Sequence, residues 1–215
     1  MADYKTKMKL KYKIVSTVYD NLYGLLENIV FFKDKKNPRL ALTHKIPNED
    51  FHILDVCCGT GKSCISIAGN KGIITGIDLS SDMLKFASEK AKKKCIKNIF
   101  FYEMDATKMD FDDEKFDIVV TSFGLHEMNY DLMMKVLKEI YRVLKKKGLL
   151  YIVDYGKEDG FVMKIIFSMY LKICYPQHVQ DFLNYDWKEI FNSVGFRLDY
   201  IEKYAISQLI CAVKE

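Results

Sequence analysis

Phe51-His-Ile-Leu-Asp-Val-Cys-Cys-Gly-Thr-Gly-Lys-Ser63 reads as a short apolar strand that runs straight into a glycine-containing turn, with a helix after it. Gly59 and Gly61 let bare backbone come close to a ligand at the carboxyl end of that strand. Open α/β sheets bind their nucleotides at such strand ends. The segment therefore predicts the first β-turn-α unit of a nucleotide-binding sheet, and the rest of the chain has to say which nucleotide.

Downstream, strand and helix patterns alternate. Apolar runs at 51–57, 73–78, 99–104, 116–122 and 149–154 are dense in Ile, Val, Leu and Phe, as expected of strands buried on both faces. Ser80 or Ser81 is a candidate N-cap, with Asp82 in the first turn, for a helix reaching about Cys95. Residues 131–147 form a second helical pattern, with Leu132, Val136, Ile140, Val143 and Leu144 on one face. Lys145, Lys146 and Lys147 would sit at its C-terminal end, with Gly148 as a left-handed cap. Alternation of this kind implies right-handed crossovers and a parallel sheet. The runs 196–204 and 206–214 have almost nothing between them, so they can only be antiparallel neighbours. The expected fold class is α/β: a single-domain, Rossmann-like seven-stranded sheet, mostly parallel with a C-terminal antiparallel hairpin, and helices on both faces.

Ahead of the sheet, residues 12–32 carry Ile14, Val15, Val18, Leu22, Leu25, Leu26, Ile29 and Val30 at helical spacing. Residues 33–39 read as a charged connection containing Pro38, and Pro47, Asn48 and Glu49 punctuate the entry to the first strand. The expected organisation is an N-terminal helical lid or acceptor segment over 1–50. A core over 51–215 follows, with an apolar insertion at about 157–183.

The 215 residues suit one core, and 49% hydrophobic with 29% charged residues describes a globular chain. With 33 basic and 29 acidic groups the net charge is only +4, so nothing points to a nucleic-acid partner. Six cysteines (57, 58, 64, 95, 174 and 211) form no Cys-x-x-Cys pair, and the four histidines are scattered, so no metal site is expected. The cysteines read as reduced thiols, and the expected location is cytoplasmic. Residues 1–13 are basic without the apolar stretch of a signal peptide. No apolar run approaches the roughly 20 residues that span a bilayer.

Three ligands compete for the glycine turn. A P-loop ending in Gly-Lys-Ser needs a glycine at position 56, which is Val56. A dinucleotide fingerprint starting at Gly59 needs a glycine at position 64, which is Cys64. The third reading uses carboxylates. Asp78, about 20 residues past the turn, can accept hydrogen bonds from both hydroxyls of a ribose. Asp105 can accept from an adenine amino group while the Ala106 N–H faces a ring nitrogen. With Asp55, three carboxylates at strand ends would repel a phosphate but suit a ligand carrying a sulfonium and an ammonium, as S-adenosylmethionine does.

At this point the sequence resembles the class I S-adenosylmethionine-dependent methyltransferases over about residues 51–156. Five segments match in order: Ile53-Leu-Asp-Val-Cys-Cys-Gly-Thr-Gly61, Gly76-Ile-Asp-Leu-Ser-Ser-Asp-Met83, Met104-Asp-Ala-Thr107, Phe116-Asp-Ile-Val-Val120 and Ile140-Tyr-Arg-Val-Leu-Lys-Lys-Lys-Gly148. Cys57 departs from the first glycine of the family's turn. Tyr19-Asp20, Phe123-Gly-Leu-His126 and the Tyr-Arg-Val-Leu-Lys run look most like the ubiquinone/menaquinone-biosynthesis and phospholipid N-methyltransferase branch. The resemblance implies S-adenosyl-L-methionine as cofactor and S-adenosyl-L-homocysteine as product. It implies a cofactor site of Asp55, Cys57, Gly59, Gly61, Asp78, Leu79, Met83, Asp105, Ala106, Ser122 and Phe123. His126, after the fourth strand, and Tyr19, in the leading helix, are the candidate catalytic residues: His126 could take a proton from the acceptor, or be a plain loop histidine. Asp154 and Tyr155 end the fifth strand at the same rim.

The expected acceptor is a small, apolar molecule: a quinol, lipid headgroup, amine or phenol. The apolar run 161–175, with Lys164 and Lys172 as its only charges, reads as core cover, acceptor wall or a helix resting on a bilayer as peripheral contact. The alternative function is a non-catalytic S-adenosylmethionine-binding regulatory or scaffold protein, and a third is a nicotinamide-dependent oxidoreductase. Base-modifying enzymes are disfavoured: Ser122-Phe-Gly-Leu125 stands where an Asn- or Asp-Pro-Pro-aromatic motif would be, and no proline precedes a cysteine.

Overall fold

A computed structural model describes residues 37–69, 71–157, 178–204 and 206–215. The expected leading helices, Tyr19 among them, and the apolar run 161–175 lie outside the described residues. The strands make a seven-stranded sheet in the order β3-β2-β1-β4-β5-β7-β6, as the alternating pattern and terminal hairpin predict. The chain divides into two compact halves, the first ending at Asp110 and the second beginning at Phe111.

In the first half, helix α1 (Pro38–Lys45) precedes β1 (His52–Val56), α2 (Lys62–Ile67), β2 (Ile73–Asp78), α3 (Ser81–Lys93) and β3 (Ile99–Glu103). The three strands pair in parallel, His52–Val56 opposite Ile73–Ile77, and Ile74–Asp78 opposite Ile99–Glu103. Residues 37–39, read as part of a connection, begin a helix instead. Asn37 caps α1 by accepting from the Arg39 N–H at 2.9 Å, and Pro38 takes the first helical position, where its missing N–H costs nothing. Ser80 caps α3 through the Met83 N–H. One expectation about burial fails: β3 is an edge strand, and Phe100 and Tyr102 are about half exposed. Its aromatics suit a sheet edge whose inner face alone is covered, with Phe101 packed over Gly61 and Gly76.

In the second half, β4 (Phe116–Ser122), a 3-10 turn (Leu125–Glu127), α4 (Tyr130–Val143) and β5 (Leu144–Tyr155) are followed by α5 (His178–Phe182), α6 (Trp187–Val194), β6 (Phe196–Tyr204) and β7 (Ser207–Lys214). β4 and β5 are parallel, while β5–β7 and β6–β7 are antiparallel. After buried Phe196, β6 alternates exposed and half-buried residues, as suits a strand with one wet face. No described helix is long and apolar enough to cross a membrane.

The end of α4 corrects the sequence reading. The helix stops at Val143, and Leu144 is already extended, fully buried and paired with Phe116. The next pair is Ile118 with Leu149, so Lys145–Gly148 bulge out opposite the single residue Asp117. Lys145 Nζ lies 2.6 Å from Asp117 Oδ1, and Lys147 rather than Gly148 takes the left-handed conformation. Gly148 is needed for closeness, since a Cβ there would sit 2.8 Å from Lys145 O and 2.9 Å from Asp117 O. The cation at the helix end comes from β7: buried Lys214 donates to the carbonyls of Tyr141 (2.8 Å) and Leu144 (2.7 Å), and pairs with Glu114 at 3.5 Å.

Candidate active site

In the first half, β1 delivers the chain into a turn with three left-handed residues in five: Cys57 (φ 58°), Gly59 (φ 52°) and Gly61 (φ 72°). At position 57 the left-handed conformation favours glycine, and Cys57 bears the strain. A Cβ on Gly61 would come within 2.9 Å of Ala87 Cβ and 3.0 Å of Phe101 Cζ, so this glycine is fixed from behind. Gly59 differs: a Cβ there would meet nothing within 4 Å, so its exposed side opens outward.

Asp78, at the end of β2, closes the turn. Its Oδ2 accepts from the Gly59 N–H at 2.8 Å and its Oδ1 from the Ser80 N–H at 2.9 Å. Burial raises its carboxyl above the ordinary 3.8, and the hydrogen bonds from Ser80, Gly59 and Leu79 draw it back. The carboxylate keeps accepting capacity for a ligand donor. Leu79 beside it is half-buried, and Met83 is buried on the first turn of α3. Asp105 accepts from Thr107 at both N (3.0 Å) and Oγ1 (2.8 Å), an Asx turn that fixes the carboxylate and leaves Ala106 buried behind it.

Asp55 sits beneath the turn. It is fully buried, its Oδ2 accepts from the Cys64 thiol at 3.1 Å, and Oδ1 has no hydrogen-bond partner. Burial lifts this carboxyl to about 7, against the lowering effects of the Cys64 bond and the Arg39 charge. At neutral pH it carries only part of a charge. Burial likewise pushes the Cys58 thiol up to about 11 and Cys64 well above its ordinary value, which makes both poor nucleophiles.

In the second half, β4 ends at half-buried Ser122, and Phe123 turns left-handed (φ 55°) with its N–H on Val153 O at 2.8 Å. The 3-10 turn then presents His126. His126 Nδ1 lies 2.6 Å from Asp154 Oδ1, and both residues are buried. Asp154 Oδ2 accepts from the N–H groups of Leu125 (3.2 Å) and His126 (3.3 Å), and Oδ1 from Tyr155 (2.8 Å). The imidazole faces Tyr155 at 4.6 Å between ring centres, Phe182 at 6.3 Å and Phe123 at 6.5 Å.

The structure thus brings Gly59 to Asp78, and His126 to Asp154, while Tyr19 lies outside the described residues. Sequence reading placed Asp154 at the rim but missed its bond to His126. It also missed Cys64 beneath Asp55 and Thr107 on Asp105. Only Thr107 had a local signal, the Asp-x-Thr pattern of an Asx turn.

The fold is shared with solved structures of S-adenosylmethionine-dependent methyltransferases. One from Aquifex aeolicus superposes with a TM-score of 0.67 at 21% identity, over 88% of this chain and 93% of that one. The sheet order shows the fold, and the match to a methyltransferase family model and to curated methyltransferases shows the class: the chain is an S-adenosylmethionine-dependent methyltransferase. Within that class it belongs to the ubiE/COQ5 methyltransferase family, which matches residues 4–199. It is 30% identical to a demethylmenaquinone methyltransferase of Staphylococcus haemolyticus, over 89% of each chain. It is 32% identical to one of Listeria welshimeri, over 80% of this chain and 73% of that one.

Proposed function

We propose that the chain methylates a quinone-type acceptor in its reduced, hydroquinone form, on carbon. The observation that carries this reading is the similarity to demethylmenaquinone methyltransferases along 89% of the chain. Chemistry refines it. A quinone is an electrophile and cannot attack an electrophilic methyl group, whereas a hydroquinone is electron-rich. A methyl group on oxygen would block return to the quinone, so it belongs on a ring carbon.

S-adenosylmethionine supplies a methyl group carried on positively charged sulfur. The residues present fit it. The open side of Gly59 leaves room for the methionine portion beside Cys57 and Gly61, and Asp55 lies beneath. Asp78, held by Gly59 and Ser80, would accept from the ribose hydroxyls. Asp105, held by Thr107, and Ala106 would meet the adenine edge, with Leu79 and Met83 against its faces. In the second half, we assign Ser122 and Phe123 to the cofactor and His126 to the acceptor. The chain's work is to align the two reactants and keep water out, because an in-line displacement needs little else.

The test is turnover with labelled S-adenosylmethionine on demethylmenaquinone reduced to its hydroquinone, against an aminophospholipid, a simple phenol and an amine. A one-methyl mass gain on the hydroquinone, and none on the oxidised quinone, is the expected result. Transfer only to an amine or headgroup would overturn the acceptor class. Binding of the cofactor without turnover on any acceptor would favour a scaffold role.

A further inference from the structure

We propose that His126 is the base that removes the hydroxyl proton of the acceptor, and that Asp154 is the residue that positions it. The inference rests on the acceptor class proposed above. Its warrant is a buried pair at the carboxyl ends of the adjacent parallel strands β4 and β5.

Four groups converge on Asp154: the backbone N–H donors of Leu125, His126 and Tyr155, and the imidazole Nδ1. The backbone donors alone would satisfy a structural carboxylate. The shortest contact, 2.6 Å, is nevertheless the one to the ring. An ionised carboxylate only accepts, so Nδ1 carries the proton and Nε2 the lone pair. Two of the four bonds come from the turn that bears the ring, so Asp154 fixes both the tautomer and the path of residues 125–126. Glu127 Oε1 lies 3.8 Å from Nε2, where it would stabilise an imidazolium and offer the proton a way out. The titratable groups facing the ring among the described residues are Asp154 and Tyr155 from β5 and Glu127 from its own turn; α5 contributes Phe182. Phe123 and Phe182 meet the imidazole edge-on and Tyr155 at a tilt, an apolar enclosure that excludes water from Nε2.

The step balances as follows. The acceptor's O–H bond breaks and its proton moves to Nε2. The electron pair freed on oxygen drives the ring carbon onto the methyl group, a C–C bond forms, and the pair of the broken S–CH3 bond stays on sulfur. The imidazolium returns its proton to oxygen while the ring carbon's own hydrogen is released, restoring the aromatic ring and leaving one net proton.

The test uses the full chain, with His126→Gln and Asp154→Asn, and reads kcat against pH at saturating cofactor. For His126→Gln, kcat should fall at least ~100-fold and the acid limb of the profile should vanish. Affinity for S-adenosylhomocysteine, measured by calorimetry, should stay unchanged. Asp154→Asn should lower kcat at least ~10-fold and displace the acid limb. Nitrogen-15 spectra of the wild-type protein should show Nδ1 protonated in the neutral ring, a reading that survives even if a variant fails to fold. Retention of the acid limb in His126→Gln, or kcat within about twofold of wild type, would overturn the inference while leaving the hydroquinone reading intact. A wild-type ring protonated on Nε2 would also overturn it. If the wild type methylates only amines, the acceptor reading and the base fall together.

Discussion

Replacing Asp55 with asparagine should make the protein more stable above neutral pH. The side chain is fully buried and one oxygen has no hydrogen-bond partner, so ionising it takes a charge out of water with little return. Its carboxyl is lifted from 3.8 to about 7. The folded state therefore holds a proton that the unfolded chain has lost between those values. Stability then falls as pH rises through that window and is lowest above it. At about 1.4 kcal/mol per pH unit, the ionised carboxylate costs the folded state on the order of 4 kcal/mol. Urea unfolding of wild type and Asp55→Asn, without ligand, at pH 5 and pH 8 isolates the effect, because other groups titrate alike in both proteins. The expected outcome is a variant gaining about 2–4 kcal/mol over wild type on going from pH 5 to pH 8. A variant equally destabilised at both values would refute the reasoning. It would mean that Arg39 and the Cys64 thiol keep the carboxylate charged, and that the substitution merely breaks that arrangement.

Three further outcomes follow from the geometry. Asp78→Ala should weaken S-adenosylhomocysteine binding at least tenfold, or ~1.4 kcal/mol, by calorimetry, through loss of the ribose acceptor and of the Gly59 tether; unchanged affinity would count against the site as drawn. Gly61→Ala, at φ 72° with Ala87 and Phe101 behind it, should lower stability by about 1–3 kcal/mol and reduce cofactor affinity, both readable from thermal shift with and without ligand. Lys214→Met should lose about 2–3 kcal/mol in urea unfolding, because the carbonyls of Tyr141 and Leu144 lose a buried charged donor; a loss below ~0.5 kcal/mol would show that water replaces it.

Much of the first half's strand–turn–helix was legible because it is local. The strand–turn–helix at residues 51–63 and the carboxylates at the ends of β2 and β3 are short patterns with fixed chemistry. What escaped depended on partners far along the chain. Lys145–Gly148 has the composition of a capped helix end, yet Leu144 gains more by burial opposite Phe116, and the helix yields to the strand three residues before the lysines finish. The β3 run has the residues of a buried strand, and only its place at the sheet edge leaves Phe100 and Tyr102 half exposed. His126 and Asp154 were each visible at strand ends, but their bond spans 28 residues and no spacing rule announces it.

Lys214 has a consequence for how the second half folds. Its ammonium joins the β4 entry loop at Glu114, the end of α4 at Tyr141 and the start of β5 at Leu144. Those contacts bridge separations of 70 residues and more, and they require β7 to be in register beside β5. Such long-range closure is slow to form and is rewarded only once the sheet exists. The helix end should therefore stay frayed until β7 docks. Hydrogen exchange should show Val143 and Leu144 opening together with the terminal hairpin, as one cooperative unit, rather than with the rest of α4.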